Sequence, residues 1–397
     1  MPFLLVYNFI MLNRSLLNIE KENTFSKSTR LVKEYKLAHP DADIISLGIG
    51  DVSMPIIEPV RNAMKKAVDD LGSMDTFKGY GLYFGLEELR QTILDNEYKG
   101  LGLSIDEIYI GDGTKSDSTN ILELFDKDSK VLIGNPIYPI YENGAYAYQR
   151  ELHFGEVDEE FKLKIPKEKY DIIYLCSPAN PIGNALTREE LKEWIDYANK
   201  NKSVIIFDNV YKSFVESDNV PLTAYEVEGA KKCIIEMRSF SKDLSFSSSR
   251  CSYYVIPNEI DEDINYYWKE RTANRFNGTS YVSQKGAIAA FSDESKKLIK
   301  ENIKKYKDNI KYLREELNKL GYSTIGGYDS PYLWVKTKNN MASWEAFDYF
   351  LTKLNIVVVP GEVFGSNGKY NFRISGLGSI ENSKRAIERI KKYEENI

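Results

Sequence analysis

Four polar residues stand at or just after the ends of short apolar runs: Asn180 in Ser177-Pro-Ala-Asn-Pro-Ile-Gly183, Asp208 in Ile205-Ile-Phe-Asp-Asn-Val-Tyr211, Lys242 in Ser239-Phe-Ser-Lys242, and Arg250 eight residues further on. Strand ends are where open α/β sheets place their ligands. A lysine in a desolvated setting is an amine nucleophile, and an arginine grips a phosphate or carboxylate with two parallel hydrogen bonds. With only two histidines, His39 and His153, imidazole bases and metal clusters are nearly excluded, so Lys, Tyr, Asp or Glu must move any proton. Singly, each residue is ordinary: an aspartate ending a strand is usually a cap, Asn-Pro usually marks a turn, and a lysine after Ser-Phe-Ser is usually exposed.

Elements able to position these residues follow from the pattern. Apolar, β-branched runs at 107–110, 130–133, 171–176, 203–207, 232–237 and 252–256 alternate with helical stretches. Runs apolar on both faces describe a mostly parallel sheet covered by helices on both sides. Thr187, with Glu189 and Glu190 behind it and apolar spacing at Leu191, Trp194, Ile195 and Ala198, opens one such helix. After about residue 290 the texture changes to a long charged helix (295–320), a strand pair at 332–335 and 356–359, and a closing helix (382–395). We therefore expect a large domain over 50–293 and a small one built from 11–49 and 294–397, with residues 1–10 as an extension and Met11 as a candidate start.

Composition narrows the class. The 397 residues are 42% hydrophobic and 13% aromatic, enough for packed cores and incompatible with disorder. A net charge of −6 argues against nucleic acid as a partner, and the lysine-rich pieces at 296–311 and 384–392 alternate with acids as solvated helix faces do. Three cysteines without a CxxC pair point to a reducing, cytoplasmic setting, and no metal is expected. The apolar stretch 1–12 lacks a basic flank and is too short to span a bilayer, so no membrane role is expected.

Taken together, the spacings of 28, 34 and 8 residues along Asn180, Asp208, Lys242 and Arg250 resemble the fold type I pyridoxal 5′-phosphate (PLP) aminotransferases of class I/II. That resemblance implies an α/β fold, a doubly wound, mostly parallel sheet domain with a smaller α+β domain. It implies that Lys242 bonds the cofactor covalently and that Asp208 keeps the pyridine nitrogen protonated. Asn180 and Tyr211 would hydrogen-bond the ring oxygen, while Arg250, Ser239 and Ser241 would hold the phosphate. In Gly111-Asp-Gly-Thr-Lys-Ser116, the backbone N–H groups of Thr114 and Lys115 would join them at a helix N-terminus. Tyr138 would stack on the ring, and Arg373 would bind the substrate α-carboxylate.

Leu47-Gly-Ile-Gly-Asp51, Gly79-Tyr-Gly81, the Gly-x-Lys loop at 113–115, Arg275-Phe-Asn-Gly278 and Ser330-Pro-Tyr-Leu-Trp-Val335 narrow the resemblance to LL-diaminopimelate aminotransferases. It implies a homodimer in which Tyr80 and Asn277 are lent to the other subunit's cofactor, with the Gly50 backbone meeting the substrate. The substrates implied are an amino acid and a 2-oxo acid. Two distal contacts depart from that pattern. Asn23 stands where the family has Tyr, and Tyr83 stands where it has the acid that pairs with the distal ammonium. Altered recognition of the substrate's distal end is expected. Ser247-Ser-Ser-Arg250-Cys-Ser252 also departs, from a Thr/Ala-Gly-x-Arg-x-Gly pattern, and Glu362 stands in the closing loop where the relatives carry Ser or an apolar residue. Glu362 either points to solvent, the preferred reading, or restores the distal counter-charge. Two rivals stay open: elimination, cyclisation or oxidation on the same cofactor, and a PLP-sensing transcription regulator, for which no basic recognition helix precedes Gly50.

Overall fold

The computed structural model describes residues 13–19, 24–48 and 50–394. In chain order the strands are β1 (Ile45–Ser46), β2 (Ile108–Gly111), β3 (Lys130–Ile133), β4 (Glu151–Phe154), β5 (Ile172–Cys176), β6 (Val204–Asp208), β7 (Ile234–Ser239), β8 (Ser252–Val255), β9 (Thr324–Gly326), β10 (Tyr332–Lys336), β11 (Ile356–Val357), β12 (Val359–Pro360) and β13 (Asn371–Ser375). Seven form one sheet in the order β2-β8-β7-β6-β5-β3-β4. The pairs among β3 to β7 are parallel, and β8 runs against both of its neighbours.

The apolar runs explain this sheet. Alternate residues of one strand enter two different cores: Ile173, Ile205 and Ile234 pack with Leu191, Trp194 and Ile195 of the Arg188–Asn201 helix, whereas Ile172, Ile206 and Ile235 pack on the other face with Tyr141 and Trp268. A strand buried on both sides must be apolar at every position, which is why these segments lack polar alternation. The helix start reads as expected: Thr187 Oγ1 accepts from Glu190 N at 3.2 Å while Glu190 Oε2 accepts from Thr187 N at 2.8 Å.

A third core lies under the antiparallel sheet β12-β13-β10-β9. Leu333, Val335, Phe372 and Ile374 pack there against Ile310, Leu313 and Leu317 of the Asp293–Lys319 helix and Ala386, Ile387 and Ile390 of the Ile380–Glu394 helix. Ile45 and Leu47 join them, because β1 pairs in parallel with β11.

Two features differ from expectation. Strand β4 carries no apolar run, because it is the sheet's edge, with Glu151 and Phe154 exposed to solvent. The 332–335 and 356–359 segments do not pair with each other, since β13 lies between them. The second segment divides at Val358: its first half joins β1, and its second half joins β13 at an edge where Pro360 can supply no ladder donor.

The carboxyl ends of β5, β6 and β7 finish side by side, with Cys176 opposite Asp208 and Asp208 opposite Met237. Chain leaving these three ends carries Asn180, Tyr211 and Lys242.

Candidate active site

A cavity of about 500 Å³ opens at those strand ends. Large-sheet strand ends supply Asp208 and Ser239, and the loops that follow supply Asn180, Tyr211, Ser241, Lys242 and Arg250. Thr114 and Lys115 enter from the start of the Thr114–Asn120 helix, Tyr138 from the turn before the Ile140–Ala147 helix, and Gly50 and Arg373 from the side of the smaller sheet. A larger cleft of about 980 Å³ runs along the Asp293–Lys319 helix but shares only Ser239 with this set. Converging chemistry, not size, marks the site.

Asp208 is 7% exposed and accepts from the Tyr141 hydroxyl at 2.5 Å and from Val210 N at 3.3 Å. Burial pushes its carboxyl up to about 6, against the opposing pull of those two donors. Among the described residues no hydrogen bond or ion pair joins it to a cation, so a protonated ring nitrogen placed beside it would supply the missing counter-charge. Opposite, Lys242 Nζ donates to Gly50 O at 2.5 Å, which fixes the amine over the cavity.

Arg373 is 3% exposed. Its Nη1 donates to Asn180 Oδ1 at 2.7 Å, its Nη2 donates to Gly48 O at 3.3 Å, and its Nε is buried without a partner. The guanidinium rests on the rings of Tyr332, at 4.4 Å, and Phe364, at 4.9 Å. A buried guanidinium with unused donor capacity fits a carboxylate ligand.

At the far end, Gly113 has φ +136°, and a Cβ there would fall 1.7 Å from Arg250 Nη2. Only glycine admits the arginine to this corner. Ser252, one of the departures in the 247–252 segment, accepts from Gly113 N at 2.8 Å and donates to Asp117 Oδ2 at 2.5 Å. It thereby ties the loop to β8. Gly113, Arg250, Ser239, Ser241 and the first N–H groups of the Thr114–Asn120 helix form a cradle suited to a phosphate in size and charge. With the buried Asp208 and the Lys242 amine at the other side, the donor set matches what PLP presents: an anionic tail, a ring nitrogen and a carbonyl carbon.

Not every expected residue lies here. Tyr80, 90% exposed, and Asn277 line a surface hollow of their own with Gly79 and Gly81. Tyr83 is half-buried with its ring edge-on to Phe84 at 4.9 Å, outside the cavity. Asn23 lies outside the described residues. Glu362 is half-buried, outside the cavity lining, and accepts from Ser343 Oγ at 2.7 Å at the start of the Ser343–Leu354 helix. Sequence reasoning passed over Tyr141 and Tyr332. Tyr141 stands three residues after Tyr138, and Tyr332 lies inside the Ser330-Pro-Tyr motif; the type of residue was visible, but its partner was not.

Residues 42–390 match the family model for aminotransferase class I and II. The chain belongs to this family, whose members are PLP-dependent aminotransferases. It is 42% identical to an LL-diaminopimelate aminotransferase from Agathobacter rectalis over 92% of this chain and 96% of the relative. It is 40% identical to one from Methanosphaera stadtmanae over 95% and 97%. Among solved structures, the L,L-diaminopimelate aminotransferase from Chlamydomonas reinhardtii superposes with a TM-score of 0.90 at 32% identity, covering 97% of this chain and 98% of that one. Among the described residues no helix is long and apolar enough to cross a membrane.

Proposed function

We propose that the chain transfers an amino group from an L-amino acid to a 2-oxo acid with PLP held in the 500 Å³ cavity. The observation that carries the cofactor's seat is that one cavity is lined by the buried Asp208, the Lys242 amine and the Arg250 cradle. PLP, when bound, supplies an electron sink for the charge left as the substrate Cα–H bond breaks.

Each protein group then has a task. Asp208, oriented by Tyr141, holds the ring nitrogen's proton. Asn180 and Tyr211 donate to the ring oxygen, and Tyr138 covers the ring. Arg250, Ser239, Ser241 and the backbone of Thr114 and Lys115 bind the phosphate. Arg373 would take the substrate carboxylate and so aim the Cα–H bond toward Lys242, whose amine would accept that proton and hold it, as an ammonium, for its return. Residues 50–293 form the cofactor domain in this reading, and 11–49 with 294–397 the small domain. The setting is cytoplasmic.

The enzyme is a homodimer in this reading. Met74 (95% exposed), Phe77 (62%) and Tyr80 (90%) form an apolar surface run that a partner would cover. Covering it would carry Tyr80 and Asn277 to the other subunit's cavity.

The donor's distal group is uncharged or aromatic. Among the described residues Asp208 is the one carboxylate lining the cavity, Tyr83 replaces the expected acid, and Glu362 is engaged by Ser343. The 42% identity to an LL-diaminopimelate aminotransferase favours the other reading, a donor with a second ammonium at its distal end. Two measurements test the proposal. Borohydride reduction of the holoenzyme followed by peptide mapping should place the pyridoxyl group on Lys242 alone; another residue labelled, or none, overturns the assignment. In a donor panel, LL-diaminopimelate standing far above all others would defeat the distal-group reading while leaving the cofactor chemistry intact.

A further inference from the structure

Tyr332 touches both halves of the site. Its ring lies under the Arg373 guanidinium with 4.4 Å from ring centroid to Cζ, and its hydroxyl is 2.9 Å from that of Tyr211. Strand alternation puts it there. Leu333 and Val335 of β10 turn into the third core, so Tyr332 and Trp334 face the other way, and Trp334 sits directly opposite Arg373 in the β10–β13 register. The pair is shut away from water, Tyr332 being 1% and Tyr211 5% exposed.

A buried pair of phenols has two protons, and in a mutual hydrogen bond one hydroxyl donates while the other accepts. Resting on the cofactor reading above, Tyr211 spends its single proton on the ring oxygen of PLP. Tyr332 must then be the donor to Tyr211. We infer that Tyr332 is a positioning residue that polarises the Tyr211 hydroxyl through this bond while its ring seats Arg373, so that one side chain orders both the cofactor's and the substrate carboxylate's anchor. Burial is the largest cause holding the Tyr211 proton well above the ordinary phenol range, with Arg373 opposing it, so it stays a donor at working pH. The other titratable groups at the cavity are Tyr138, Tyr141, Asp208, Lys242, Lys115 and Arg250. Tyr332→Phe leaves their contacts with one another unchanged.

The test is an absorbance titration of holoenzyme. The band of the cofactor bonded to Lys242 changes with pH, and donors to the ring oxygen favour the deprotonated form, because that oxygen then carries uncompensated negative charge. Weakening a donor raises the midpoint. Tyr332→Phe should raise it by about half a unit, roughly threefold in proton affinity. Tyr211→Phe should raise it further, and the double variant should stop at the Tyr211→Phe value, because Tyr332 acts through Tyr211. Tyr332→Leu should show the same rise plus a higher KM for amino donors, since it also removes the ring from Arg373. The release rate of PLP on dilution, read by fluorescence, should increase in Tyr332→Phe. An unmoved midpoint in both Tyr332 variants overturns the inference, as does a double variant whose shift is the sum of the two singles. A parent enzyme that shows no titrating band would instead overturn the cofactor reading, and with it this one.

Discussion

Tyr141 donates a 2.5 Å hydrogen bond to Asp208, both residues being buried, and its ring is stacked on Tyr174 with centroids 4.8 Å apart. The stack fixes the ring, and the fixed ring aims the hydroxyl. Replacing Tyr141 with Phe keeps the stack and removes a donor to a buried carboxylate, a bond worth about 1.5 to 3 kcal/mol. PLP affinity of the Tyr141→Phe variant should fall by roughly ten- to a hundredfold, measured by cofactor titration of apoenzyme. Unchanged affinity would show that Asp208 needs no orienting partner.

Asp208 also makes cofactor-free stability depend on pH. Burial pushes its folded-state pKa up to about 6, whereas in the unfolded chain the carboxyl titrates near its ordinary value of about 3.9. The folded state therefore holds the proton more tightly, and stability is lost as pH rises from about 4 through about 6, to a total of roughly 3 kcal/mol. Asp208→Asn removes the penalty. Without PLP the variant should be more stable than the parent above about pH 6 and equal to it below about pH 4. With PLP the order should reverse. Denaturant melts across pH decide it, and a parent–variant difference that ignores pH would refute the argument.

Much of this site could be read before any coordinates. Residues bound to the backbone at fixed offsets, such as Asp208 at the end of β6 or Lys242 three residues past β7, are set by strand termini that apolar runs announce. What stayed hidden depends on side chains meeting across long sequence separations. Tyr211 and Tyr332 are 121 positions apart, and Tyr141 and Asp208 are 67 apart. Strand β4 escaped for another reason: an edge strand has a wet face and needs no apolar run. The expected pairing of 332–335 with 356–359 failed because β13, 35 residues beyond β10, wins the central place.

Arg373 binds Asn180 as well as any carboxylate ligand, so its loss strips both. Arg373→Ala should reduce kcat/KM for every amino donor alike, by roughly 2 to 5 kcal/mol, as expected when a buried charge pair loses one member. Arg373→Lys should recover little, since an ammonium cannot make the planar fork. Steady-state kinetics on donors of different side chains test this. A loss confined to one donor class would mean that Arg373 reads the side chain and not the carboxylate.

Ser252, the first residue of β8, stands where the resemblance implied Gly. Ser252→Gly leaves Gly113 N and Asp117 Oδ2 without this partner in a closed interior. Two buried groups left unpaired cost about 1 to 3 kcal/mol each. Chemical denaturation should show a loss of roughly that size, with weaker PLP retention because Gly113 is no longer held to β8. A variant as stable as the parent would mean that the loop closes on itself.

Glu362 lies in the Gly361–Phe364 turn, outside the cavity lining. Its carboxylate accepts from Ser343, a residue with no solvent exposure, and its own N–H donates to the same hydroxyl at 3.4 Å. The side chain thus fastens the Gly361–Phe364 turn to the first residue of the Ser343–Leu354 helix. An amide can accept the same bond, so Glu362→Gln should cost under about 1 kcal/mol of stability. If the carboxylate stays on Ser343 during turnover, the ratio of kcat/KM between a basic and a neutral donor will be the same in Glu362→Gln as in the parent. Ser343→Ala, which removes the tether, is the sharper probe: a freed carboxylate turning inward would raise the relative rate with basic donors. A selective loss with basic donors in Glu362→Gln itself would place this carboxylate against the substrate and reopen the case for a cationic distal group.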